Sequence, residues 1–161
     1  MISASGCVML SLDTGRLCLQ LRGSNGSHAG TWSFWGGKSK RGERPINTLL
    51  REMEEEIGIL PDVEKVYPLH KFISTDGNFE YQAFIVTVFE EFVPTLNSES
   101  DGYAWVDIDK YPRPLHRGAK AILLSDDIKI KLHTIIELSA SKTSATNWLD
   151  SFKSTHRISA R

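Results

Sequence analysis

Cysteine is scarce in this chain: two of 161 residues, Cys7 and Cys18, in no CxxC pairing. That leaves too little for a thiolate metal site or a disulfide framework. Both lie in apolar stretches and read as buried free thiols of a reducing compartment. Charge of one sign is equally lacking, with 19 lysines and arginines against 20 acids and a net charge of −1. So balanced a chain has no broad basic face for gathering nucleic acid, which leaves only a local patch for that purpose. No apolar run reaches the roughly 18–20 residues that span a bilayer. The first residues also lack the basic region and apolar stretch of a signal peptide. The expectation from these shortages is a cytoplasmic protein with no membrane partner. The length suits one domain with a short appendage.

What is present alternates between strand and helix patterns. Gly6–Leu12 and Leu17–Leu21 flank the turn Asp13-Thr14-Gly15 and read as a β-hairpin. The glycine- and serine-rich stretch 23–30 is a loop, and Thr31–Trp35 is a short aromatic strand running into Gly36-Gly37. From Pro45 to Ile57 the period becomes helical, with Ile46, Leu49, Leu50, Met53 and Ile57 on one stripe. Pro45 suits the first turn, and Gly58 with Pro61 ends the helix. Val63–Thr75, Phe79–Phe92 and Tyr103–Val106 read as strands, Ala119–Leu124 and Asp127–Leu138 as helices. The polar tail 139–161 is read as partly helical or mobile, with Trp148, Leu149 and Phe152 available to anchor a turn. The sum is a mixed sheet flanked by helices, an α/β or α+β domain over residues 1–138.

The chemistry concentrates in residues 37–59, GKSKRGERPINTLLREMEEEIGI. At about 100° per helical residue, Glu52, Glu55 and Glu56 project within about 100° of one another, while Glu54 points elsewhere. Like charges so close repel and need compensation. Arg51 can reach Glu55 one turn on; the remaining carboxylates are hard oxygen donors suited to Mg²⁺ or Mn²⁺. A solvated acidic face is the bland reading of such a run. An anionic phosphate substrate could approach it only through bridging cations.

The wider spacing resembles the signature of the Nudix (MutT-like) hydrolases at Gly37, Glu43, Arg51, Glu52, Met53, Glu55, Glu56, Gly58 and Ile59. The resemblance implies an α/β/α sandwich with a mixed sheet and a loop–helix–loop catalytic motif. It further implies metal-dependent hydrolysis of a pyrophosphate bond in a nucleoside diphosphate linked to another group, or in a (d)NTP. Glu52, Glu55 and Glu56 would bind the metal, Glu43 would be a further ligand directly or through water, and Arg51 would orient the glutamates. By the same resemblance the proton acceptor would be one of Glu52, Glu55 and Glu99, with Asp101 second to Glu99. Arg22, Phe34, Trp35, Gly36, Gly37 and Lys38 are the substrate-side candidates, and Trp32 and His28 are weighed with them. Since Phe34 and Trp35 point to opposite faces of a strand, they cannot line one pocket from the same side. Trp35 stands where many relatives have proline and Lys40 where they have an acid, departures that bear on substrate choice rather than on metal binding. The implied partner is a small nucleotide, with RNA 5′ ends less favoured and a homodimer open. The competing reading is a Nudix-fold module that binds a nucleotide without cleaving it.

Overall fold

The computed structural model describes residues 1–59 and 61–156, with side chains inside the last helix described to Lys142 and at Leu149. Seven strands form one mixed sheet: β1 (Ile2–Ser11), β2 (Leu17–Arg22), β3 (Trp32–Ser33), β4 (Trp35–Lys38), β5 (Val63–Ile73), β6 (Phe79–Val88) and β7 (Ser100–Val106). Helix α1 (Pro45–Ile57) lies between β4 and β5 in sequence, and α2 (Arg117–Leu123) and α3 (Asp126–His156) follow β7. The path is β3-β2-β1-β6-β5, with β4 on β1 and β7 on β2. This is the mixed sheet with helices, of α+β type, that the pattern implied.

β1 is the axis of the sheet. One edge runs parallel to β6 along its whole length, from Ile2–Phe79 to Ser11–Val88. That support explains why β1 begins at Ile2 and not at Gly6 as expected. The other edge is shared: Met9 and Leu10 pair with β2, while Ala4 to Cys7 pair with β4. β2 meanwhile continues against β3 through Gln20 and Leu21. The sheet therefore forks, and Phe34 joins the two branches. The aromatic segment expected to be one strand is accordingly two short ones.

β6 ends at Val88, short of the expected Phe92. Beyond it the chain turns to the hairpin. Glu91 forms a two-pronged ion pair with Arg16 at 2.6 and 2.7 Å, and the carbonyl of Phe92 accepts from Trp105 Nε1 at 3.0 Å.

α1 occupies the expected residues, with Pro45 in its first turn. Leu49, Met53 and Ile57 bury almost completely against Cys7, Met9, Cys18, Trp35 and the inner side chains of β6. Each contributes about 1.5–3 kcal/mol by leaving water. Leu50, expected on the same stripe, is 43% exposed. The face that turns inward is instead Thr48-Leu49, Glu52-Met53 and Glu56-Ile57. Both cysteines are free and buried, as expected.

α3 is a single helix running through position 138, where the composition becomes polar. Asp126 and Asp127 suit its positive N-terminal end. Thr134, Ser139 and Ser141 donate to carbonyls four residues back, so these hydroxyls are satisfied without breaking the helix. The side chains of Trp148 and Phe152, proposed as anchors, lie outside the described residues, and Leu149 is 46% exposed. No described helix is long and apolar enough to cross a membrane.

Candidate active site

α1 carries two of its acids inward. Residues four apart share a helix face, so Glu52 and Glu56 enter with the hydrophobes at 49, 53 and 57. A buried carboxylate is costly unless it is bonded, and each has its own arrangement. Glu52 lies against the backbone of β4: a Cβ on Gly37 would stand 2.5 Å from its Cδ and Oε2. Only glycine leaves that cradle open. Glu56 accepts from the Gly36 N–H at 2.7 Å on Oε2 and from Gln20 Nε2 at 3.4 Å on Oε1. Gly36 has φ +140°, and a Cβ there would collide with the carbonyl of Ser5 and lie 2.5 Å from Gly6 Cα. The double glycine thus lets β4 press onto β1 on one side and receive two carboxylates on the other.

Burial pushes the Glu56 carboxyl from its ordinary 4.5 up to about 8; the Gly36 N–H opposes the shift, and Glu99 and Glu52 add to it. Glu52 is raised for the same reason, with Arg51 opposing. Such groups at a cleft call for positive charge.

Arg51 spends all five of its N–H groups around this cluster. Nε and Nη2 fork onto Glu43 at 3.0 Å each, Nη1 reaches Glu52 at 2.6 Å and Glu55 at 3.4 Å, and Nη2 also meets the carbonyl of Lys38 at 2.9 Å. Glu43 is equally committed, since its Oε2 also accepts from Lys40 N at 2.8 Å and Thr48 Oγ1 at 2.9 Å. These bonds, Arg51's first, hold its carboxyl at about 2.

A cleft of about 530 Å³ opens beside α1, lined by Glu52, Glu55, Glu56, Glu99, Arg22 and Lys38 together with Gln20, Gly36, Gly37, Ser98, Gly23 and residues 25–27. Its size is that of a small-ligand site. The loops are pinned. Gly23 N donates to Glu99 O at 2.8 Å, Ser24 N to Asp101 Oδ2 at 3.1 Å, and Asn97 Nδ2 to Glu55 O at 2.9 Å. Arg22 closes the loop by bonding the carbonyl of Ser27 at 2.9 Å.

The structure therefore brings together Arg22, Gly36, Gly37, Lys38, Glu52, Glu55, Glu56 and Glu99, with Arg51 and Glu43 bracing the acids. It does not bring Phe34 or Trp35 to the cleft. Trp35 is fully buried in the core, its Nε1 donating to Cys18 O at 3.1 Å, and Phe34 is 6% exposed. Asp101 serves as the acceptor for Ser24, and His28 packs its ring on His116 at 4.7 Å. Sequence reasoning passed over Gln20, Asn97 and Ser100. Gln20 had a signal, an amide in the otherwise apolar LCLQL strand; the other two had none beyond their place near Glu99.

The donor set fits a divalent cation: three hard carboxylates around one cleft, two of them buried with raised pKa values, and a glycine cradle that holds one in place. Among the described residues no three side chains stand at ligating geometry, and Arg51 Nη1 bonds both Glu52 and Glu55.

A family model, the NUDIX domain, matches residues 2–126. The chain belongs to the Nudix family. A MutT NUDIX hydrolase from Burkholderia pseudomallei is 25% identical with a TM-score of 0.56, covering 75% of this chain and 95% of that one. The NUDIX domain of Shewanella oneidensis NrtR, crystallised with ADP ribose, is 16% identical with a TM-score of 0.61, covering 75% of this chain and 82% of its own, a likeness of fold. The m7GpppN-mRNA hydrolase of Saccharomyces cerevisiae is 28% identical over 96 residues, 57% of this chain. The chain spans only 10% of that relative's length.

Proposed function

We propose that this Nudix chain is a divalent-metal-dependent pyrophosphohydrolase. It cleaves a pyrophosphate bond in a nucleoside diphosphate linked to another group, or in a (d)NTP, by attack of water at phosphorus. The observation that carries the reading is the convergence of Glu52, Glu55 and Glu56 from one packed helix onto a cleft that Arg22 and Lys38 also line.

Glu52, Glu55 and Glu56 would hold Mg²⁺ or Mn²⁺, which when bound neutralises phosphate charge and acidifies water. Arg51 keeps Glu52 and Glu55 in register, and Glu43, with its oxygens already taken, acts by holding Arg51 rather than as a ligand. Arg22 and Lys38 supply the positive charge that meets the substrate's phosphates. Gly36 and Gly37 let the backbone of β4 come close to them. Glu99 takes the proton from the attacking water. It faces the cleft beside Glu52 and Glu56, and among the described residues its carboxylate accepts no hydrogen bond, whereas Glu52 is ion-paired to Arg51. Among the described residues no aromatic side chain lines the cleft, so Phe34 and Trp35 leave the proposal as substrate contacts.

The test is a panel of ADP-ribose, NDP-sugars, (d)NTPs, dinucleoside polyphosphates and capped dinucleotide with Mg²⁺ or Mn²⁺, scored by released products. Turnover of at least one class, abolished by EDTA and restored by the ion, is expected. Binding without turnover across the panel would replace the hydrolase by the binding module. The likeness to the yeast mRNA hydrolase makes capped dinucleotide the arm that tests RNA 5′ ends.

A further inference from the structure

Gln20 faces the cleft, and the reaction as described gives it no task. It sits on β2 and is 2% exposed, yet it carries a primary amide whose two ends are both bonded. Nε2 donates to the carbonyl of Phe34 at 2.8 Å and to Glu56 Oε1 at 3.4 Å, while Oε1 accepts from Ser100 Oγ at 2.6 Å. A carbonyl can only accept, so Phe34 fixes which end of the amide carries nitrogen, and the Ser100 hydroxyl must then donate to the other. Three separate pieces of chain meet at one side chain: the fork between β3 and β4, the inner face of α1, and the first residue of β7.

The two bonds to Glu56 are unequal. Gly36 holds Oε2 tightly from the backbone; the amide touches Oε1 at long range and leaves that oxygen a lone pair for the cleft. Two donors on different oxygens fix the rotation of the carboxylate without saturating it. Through Ser100, whose chain neighbour is Glu99, the same amide ties Glu56 to the strand end that brings in the other cleft acid. The residue type matters. A glutamate here would oppose Glu56 with a like charge, and a leucine would strip the Ser100 hydroxyl of its acceptor and the Phe34 carbonyl of the shorter of its two donors, Ser33 Oγ at 3.1 Å being the other.

We propose that Gln20 is a positioning residue of the metal site: its amide, oriented by Phe34 and Ser100, aims the Glu56 carboxylate into the cleft and sets its spacing to Glu99. The proposal rests on the reading of Glu56 as a divalent-ion ligand.

Mn²⁺ titration followed by electron paramagnetic resonance, on the full chain without nucleotide, tests it. Gln20→Leu and the longer-chained Gln20→Met should each bind Mn²⁺ about 10–100-fold more weakly, the scale for partners that orient a ligand. Ser100→Ala should move the same way by less, Ser100→Thr should retain wild-type affinity, and Ser100→Ala added to Gln20→Leu should add little. A purely structural amide would lower the melting temperature and leave Mn²⁺ affinity, read well below melting, within twofold of wild type. That result in whichever Gln20 variant folds overturns the proposal, and Ser100→Ala at wild-type affinity does so as well. Wild-type protein that takes up no Mn²⁺, or Glu56→Gln that takes it up undiminished, instead overturns the metal reading and this inference with it.

Discussion

The loop before α1 and the last two turns of that helix carry the same residue type and treat it in opposite ways. Glu43, in the loop, is surrounded by donors and held ionised at about 2 by Arg51, the Lys40 N–H and Thr48. Glu56, on the inner face, is surrounded by hydrophobes and other carboxylates and is driven to about 8. The first has its charge answered by the protein. The second has one strong backbone donor and one long amide contact, and waits for charge from elsewhere. Both acids belong to one motif, so the motif by itself does not say which glutamates hold a cation. The number and sign of the groups around each one does.

Substitution should separate them. Glu56→Gln removes a carboxylate that the cleft depends on. Turnover of whichever nucleotide proves to be the substrate should fall by about 10²–10³-fold, the scale for losing one group that stabilises charge in the transition state. Glu43→Gln removes only the acceptor that steers Arg51. It should cost about 10–100-fold and weaken metal binding less than Glu56→Gln does. Arg51→Lys should resemble Glu43→Gln, because a single ammonium cannot reproduce a fork onto Glu43 and a bond to Glu52 together. Steady-state kinetics with Mn²⁺ affinities read side by side decide it. Equal losses at positions 43 and 56 would erase the distinction between the two regions.

The sequence made the first half of this contrast legible and hid the second. The period of 49, 53 and 57 announces the helix, and the spacing 52, 55, 56 announces converging acids. Those are local properties, set by 3.6 residues per turn. That the buried stripe would take 52 and 56 in and leave Leu50 half out follows from β4 crossing beneath the helix as a glycine ribbon, a long-range contact between β4 and β1. The same long-range pairing hides Trp35, whose neighbours in sequence suggested a substrate platform and whose neighbours in space are Cys7 and Cys18. Asn97 and Ser100 were invisible for a related reason, and Gln20 showed only as an amide in an apolar strand: each polar group is bonded to a partner far away in the chain that its own segment does not announce.

The smallest expected effect is on stability, and it tests the contrast without any substrate. Glu43, lowered from 4.5 to about 2, contributes stability that is present above about pH 4.5 and lost as the pH falls through about 2. Glu56, raised from 4.5 to about 8, contributes in the other sense: its share is full below about pH 4.5 and is lost as the pH rises through about 8. His116, lowered from 6.5 mainly by burial, has the sign of Glu43, and its opposing share, at most about half a proton at pH 6.5, fades as the pH rises further. Between about pH 6.5 and 8, then, metal-free protein in EDTA should lose stability with pH. The slope is at most about 1.4 kcal/mol per unit for one proton. Urea unfolding at several pH values reads that slope directly. Glu56→Gln should flatten it, because a neutral amide has no proton to lose, and Glu43→Gln should leave it in place. Saturating Mg²⁺ should flatten it as well, since a bound cation favours the ionised carboxylate. A slope that survives Glu56→Gln unchanged would mean that burial at this position does not raise the carboxyl, and the inner turns of α1 would then differ from the loop in geometry alone.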